Sequence, residues 1–117
     1  MSDCIFCKIA TGKIPSQKVY EDAEILAFRD LIPQAPTHIL VIPKAHIASS
    51  AAEITAETAP IVGRIFAVIA QLAREQKLES YRIVNNCGED AGQTVRHLHF
   101  HLLGGISLGA MLTGIQE

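Results

Sequence analysis

The chain carries almost no net charge. Ten Lys and Arg residues are set against twelve Asp and Glu, a formal balance of −2. Broad electrostatic binding to nucleic acid needs a basic surface, so no nucleic-acid partner is expected. No apolar run approaches the roughly 20 residues that cross a bilayer, and no membrane partner is expected either. The opening "MSDCIFCKIATGK" has polar Ser2 and Asp3 and no long apolar stretch, so it does not read as a secretory signal. Cysteine is scarce: three residues, with two of them in "CIFC". An odd number is no disulfide framework. It fits a reducing cytoplasm, with metal binding or redox chemistry open to the pair. No glycine-rich phosphate loop occurs, and no carboxylate pair is spaced for catalytic magnesium. Phosphate chemistry, if present, is expected to run without a catalytic metal.

What remains reads as one unit. There is no internal repeat, low-complexity tract or linker, and apolar residues make up 49% of the chain. A single domain over 1–117 with one hydrophobic core is expected. Ile5 to Thr11 suits a short helix, stopped by Gly12 and Pro15. "KVYED" and "EILAFRD" are strand candidates around a turn at Glu21 and Asp22. His38 to Ile42 forms a third, bracketed by prolines. Thr58 to Lys77 predicts one long helix, because Ile61, Ile65, Val68, Ile69 and Leu72 recur at spacings of three and four. Pro60 fits only the first turn, which makes Thr58 the expected N-cap. Val62 and Phe66 widen the apolar face, as deep burial or a second subunit would require. "YRIVNN" reads as a strand and "CGEDAGQT" as a polar loop. The sum is an α+β fold: a mostly antiparallel sheet of about five strands, one long helix and a short N-terminal helix.

The last strand candidate is "RHLHFHLLGG". His97, His99 and His101 alternate with Leu98, Phe100 and Leu102. A period of two puts the imidazoles on one face of a strand and the apolar groups on the other. With five histidines in the chain, such an alternation arises by chance roughly once in a hundred sequences of this kind. Two chemistries suit it. Adjacent members lie about 7 Å apart at Cα, close enough to share a metal, while the outer pair at about 13 Å is too far apart. Alternatively, neutral imidazole is a nucleophile near pH 7, and neighbouring rings can donate to phosphate oxygens.

"HLHFHLL" resembles the H-φ-H-φ-H-φ-φ signature of the histidine triad (HIT) superfamily, φ being apolar. "CIFCKIATGKIPS", "EILAFRDLIPQAPTHILVIPKAHI" and "RIVNNCGEDAGQTVRHLHFHLLGG" resemble the matching blocks of its Hint-like, nucleotide-binding branch. The likeness runs from about Cys4 to Gly105. It implies a homodimer that binds a purine nucleoside monophosphate and hydrolyses its phosphoramidates at the P–N bond. By position, His99 is the nucleophile, His101 holds a non-bridging oxygen, and His97 and His38 complete the cluster. Thr94 falls near the scissile bond, and Asn86, Gly92 and Gln93 fall near the phosphate. Asp30 falls at the ribose hydroxyls. Ile5, Phe6, Ile9, Phe28 and Leu31 form the base pocket, with Arg29 beside it and open to solvent.

The resemblance also implies a structural zinc ion on Cys4, Cys7, His46 and His97, which the spacing of a lone C-x-x-C only suggests. Cys87 is left as an unpaired thiol. The tail "ISLGAMLTGIQE" departs from the family, whose members end in tryptophan and proline. Two other functions fit the same residues. One is a related enzyme that splits dinucleoside polyphosphates or transfers nucleotides. The other is a nucleotide-binding scaffold whose catalysis is incidental.

Overall fold

The structure is a computed structural model, and residues 4–110 are described. Of the divergent tail, residues 111–117 lie outside that range. Helix α1 covers Ile5–Ala10, strand β1 Lys18–Glu21, β2 Ile25–Arg29 and β3 Thr37–Pro43. A 3₁₀ turn at Ala51–Glu53 leads to the long helix α2, Ala59–Glu75. Strand β4 is Tyr81–Val84, a second 3₁₀ turn is Glu89–Ala91, and β5 is Phe100–Gly104. The five strands form one sheet in the order β1-β2-β3-β5-β4, antiparallel throughout. The expected α+β class and element types are those observed.

Alternation along the strands builds two apolar layers rather than the single core expected. Ile25 and Ala27 of β2, Ile39 and Val41 of β3, and Phe100 and Leu102 of β5 pack with Ile65, Ile69 and Leu72 of α2. The opposite residues of β2 and β3, Leu26, Phe28, Leu40 and Ile42, pack under Phe6 and Ile9 of α1. Every residue of β3 is buried, because both faces of the central sheet are covered. The short helix α1 thus roofs the same sheet face that carries the triad.

Turn chemistry follows the sequence at β1–β2, where the Asp22 carboxylate accepts from the Glu24 and Ile25 amides at 2.8 Å. It does not at α2. Thr58 precedes the helix but makes no side-chain cap. Its hydroxyl oxygen is occupied by the Thr55 amide at 2.9 Å, so the Thr58 side chain closes the turn at Thr55 instead. Among the described residues no helix is long and apolar enough to cross a membrane.

Candidate active site

The histidine segment is only partly a strand. Ladder pairing begins at Phe100, so His97 and His99 precede it. Other bonds hold that stretch. The Leu98 amide donates to Ala48 O at 2.9 Å. Asn85 Nδ2 donates to His99 O at 2.8 Å, while Asn85 Oδ1 accepts from the Ala51 amide at 3.0 Å. The Asn85 side chain therefore replaces the missing ladder bond. Sequence reading passed over Asn85, because an asparagine at a strand end looks like a turn residue.

The imidazoles are not a wet face. His97 is fully buried and His99 is 6% exposed. The proton positions of His99 and His38 are fixed by backbone groups, and that of His101 through His38. His99 Nδ1 lies 2.7 Å from His97 O. A carbonyl only accepts, so His99 Nδ1 carries the hydrogen and Nε2 keeps its lone pair. Next to it, the Gln34 amide donates to His38 Nδ1 at 3.0 Å. His38 must then be protonated at Nε2, which lies 2.9 Å from His101 Nδ1. His101 Nδ1 accepts that hydrogen, leaving His101 protonated at Nε2. The rings of His99 and His101, 5.1 Å apart, thus present one free lone pair and one N–H.

Burial holds these rings neutral. Desolvation lowers His38, with Asp30 Oδ2 opposing it from 3.5 Å. Desolvation also lowers His99, against its bond to the His97 carbonyl. His101 falls to about 4, first from burial and then from His99 and His38 beside it.

Beside the pair opens a mostly apolar cavity of about 390 Å³. His99, His101, Asp30 and Thr94 line it together with Ile5, Phe6, Ile9, Phe28 and Leu31. Leu31 stands 92% exposed at the rim. His38 and His97 lie behind the lining. Asn86 and Gly92 adjoin one another in the loop before the triad. The Gln93 amide is spent inside that loop, accepting from the Gly88 N–H and donating to Ser49 O and Val95 O. Arg29, expected in solvent, instead lines the cavity and donates to Gln76 Oε1 at 3.3 Å. Ile14, Pro15 and Ser16 also line it, although nothing in their sequence marked them.

A second cluster stands behind the first. The ligand atoms of Cys4, Cys7, His46 and His97 all lie within 4.8 Å of one another. His97 Nδ1 is 3.3 Å from Cys4 Sγ and 3.5 Å from Cys7 Sγ, and His46 Nδ1 is 3.4 Å from Cys7 Sγ. A tetrahedral zinc shell needs ligand separations of roughly 3.3–3.8 Å. His97 Nε2 is turned to Pro43 O at 2.8 Å, which frees Nδ1 as a donor atom. Burial, and then the adjacent Cys4, push the Cys7 thiol up to about 11. Two thiolates coexist there only beside a cation. The four residues therefore fit a tetrahedral metal ion.

A family model described as "Scavenger mRNA decapping enzyme C-term binding" matches residues 3–112. A histidine triad protein from Clostridium difficile is 50% identical, with a TM-score of 0.90 over 96% of this chain and 98% of that one. The chain belongs to the HIT family. A HIT family hydrolase from Clostridium thermocellum is 41% identical, with a TM-score of 0.91 over the same shares. The purine nucleoside phosphoramidase of Escherichia coli strain K12 is 44% identical over 94% of this chain and 93% of its own length.

Two outcomes follow from the HIT site. Unfolded histidine titrates near 6.5, whereas folded His101 does so near 4 and His38 is also lowered. Below pH 6.5 the unfolded chain binds the extra protons, so stability declines from there toward pH 4. Urea unfolding across that window should show a falling midpoint, and a shallower fall in His101→Gln. Asn85→Ala strands the His99 carbonyl and the Ala51 amide. It should cost about 1–3 kcal/mol in the same measurement.

Proposed function

We propose that this HIT protein hydrolyses purine nucleoside phosphoramidates through a nucleotidyl-His99 intermediate. The observation that carries the reading is the opposed protonation of two neighbouring rings at the head of an apolar cavity. His99 Nε2 has a lone pair because its Nδ1–H is given to His97 O. His101 Nε2 has a hydrogen because its Nδ1 accepts from His38. One ring suits attack on phosphorus, and the other suits a non-bridging oxygen that gains charge in the transition state. The name of the Escherichia coli relative supports a phosphoramidate as the substrate.

His99 Nε2 attacks the α-phosphorus as the P–N bond breaks. The departing amine takes a proton from water at the open mouth, where Thr94 is exposed. The adduct is a nucleotidyl-imidazolium whose positive charge is stabilised through Nδ1–H by the His97 carbonyl. Water then attacks the same phosphorus, the P–N bond to His99 breaks, and nucleoside monophosphate leaves with one proton returned to solvent. The Asp30 carboxylate accepts two ribose hydroxyls. Its Oδ1 is already fixed by the Ile32 amide at 2.9 Å. Phe6 and Phe28, with ring centroids 5.7 Å apart, supply an apolar wall for the base. Asn86 and Gly92 face the phosphate from the neighbouring loop. No metal takes part in these steps.

The quaternary reading is a homodimer. Edge strand β4 leaves Tyr81 and Ile83 exposed, and Phe66 of α2 is 43% exposed. A second copy covering them would explain why α2 is apolar beyond one stripe. Cys4, Cys7, His46 and His97 would hold a structural zinc ion tying α1 to the histidine segment. Zinc there fixes four side chains in one shell. The unbridged thiols suit a cytoplasmic setting.

Mixing adenosine phosphoramidate with His101→Ala and quenching early should give a chain heavier by one adenylyl group, mapped by mass spectrometry to His99. His99→Ala should carry no adduct and lose at least about a thousandfold in turnover. An adduct elsewhere, or full turnover without His99, overturns the mechanism. Elemental analysis of freshly purified protein should give about one zinc per chain, and Cys4→Ser should abolish it. A zinc-free wild-type protein rejects the metal assignment.

A further inference from the structure

We propose that Ser16 is the residue that makes the base pocket prefer purines. The starting point is an anomaly. Among the described residues, Ser16 Oγ is the one buried side-chain oxygen or nitrogen without a hydrogen-bond partner. A buried hydroxyl with no partner is unfavourable and rare in native structures. This one belongs to a residue that lines the cavity holding His99 and His101.

Its place in the fold says what it can meet. The inference rests on the nucleotide reading, with phosphate at the β5 histidines and ribose at Asp30, just past β2. Sheet order places β3 and β2 between β5 and β1. Three strand spacings put β1 about 14 Å from β5. Ser16 lies two residues before β1, on the side of the cavity that the sheet order sets away from β5. A nucleotide laid from β5 toward β1 brings the outer edge of its base to that side. Ile9, Ile14 and Phe28 make the wall near it largely apolar, with Arg29 the charged exception. The fused second ring carries a purine farther than a pyrimidine can reach from the same phosphate and ribose anchors.

A serine hydroxyl donates one hydrogen and accepts others, and rotation about χ1 moves it between three staggered positions. It can pair with a ring nitrogen, with an exocyclic amine or with a carbonyl. The site therefore suits adenine and guanine alike and excludes neither. Because Ser16 Oγ has no protein partner, a bond to a purine breaks none within the protein. A pyrimidine leaves the hydroxyl unpartnered and gains nothing from it. The residue acts on binding, away from the reacting atoms.

Calorimetric titration of the full chain with adenosine, guanosine and cytidine 5′-monophosphates tests this without relying on turnover. Wild type should bind both purine nucleotides at least about tenfold more tightly than the pyrimidine. Ser16→Ala should lose most of that margin, with its affinity for the cytidine nucleotide unchanged. Ser16→Thr, which keeps a hydroxyl, should retain it. Thermal melting supplies the second readout: Ser16→Ala should melt no lower than wild type, since it removes an unpartnered group. A preserved purine margin in Ser16→Ala overturns the inference and leaves the nucleotide reading standing. A lowered melting temperature in that variant reveals a structural partner and overturns it too. Failure of wild type to bind any of the three overturns the nucleotide reading, and the role of Ser16 with it.

Discussion

A single carbonyl decides the chemistry of the site. Imidazole has two nitrogens, and a neutral ring can place its hydrogen on either. The His97 carbonyl, 2.7 Å from His99 Nδ1, removes that choice and points the lone pair of Nε2 away from the backbone. The Gln34 amide makes the opposite choice for His38, and His38 passes it on to His101. Two chemically identical side chains come to present a free lone pair and an N–H because one chain of bonds starts at a C=O and the other at an N–H. Burial completes the assignment by keeping the rings neutral.

The sheet ladder does not hold the His99 peptide; a short segment after β3 does. Ala48 O takes the Leu98 amide, Ser49 O takes the Gln93 amide group, and the Ala51 N–H takes Asn85 Oδ1. Asn85 then reaches His99 O. Residues 48–51 thus brace both the histidine segment and the polar loop before it. The same stretch follows His46, a member of the Cys4–Cys7 cluster. Packing alone would leave these residues free to slide along the sheet. Hydrogen bonds fix their register, because each backbone group has one geometry that satisfies it.

Much of this was legible in the residues. Alternation predicted the imidazole face, periodicity predicted α2, and the family blocks named Asp30, Phe6, Phe28, His99 and His101, which line one cavity. The strand reading of His97 to Phe100 failed in an informative way. Leu98 and Phe100 do point to the α2 side, so the pattern was right about faces. It could not say that the ladder stops at Phe100 and that an asparagine side chain stands in for it. Asn85, Ser16 and the Gln34 amide were invisible for a common reason. Their roles depend on which carbonyl, ring nitrogen or empty space lies opposite them, and that is settled by tertiary contacts rather than local pattern. Thr58 is the N-cap of α2 as expected, but its hydroxyl serves the Thr55 amide rather than the helix.

His97 joins the two clusters, and its atoms divide the work. Nδ1 faces the thiols, Nε2 is bonded to Pro43 O, and its own carbonyl orients His99. Nothing is left over to touch substrate, and the ring is fully buried. The first histidine of the alternation is therefore structural in this chain, although the repeating pattern presents three equivalent rings. A metal ion on Nδ1 would hold the His97 ring, and through a single residue the carbonyl that selects the tautomer of His99. Movement of the N-terminal cysteines would reach the His99 ring by that route and through Phe6, which lies between them in sequence and whose ring centroid is 4.9 Å from that of His99.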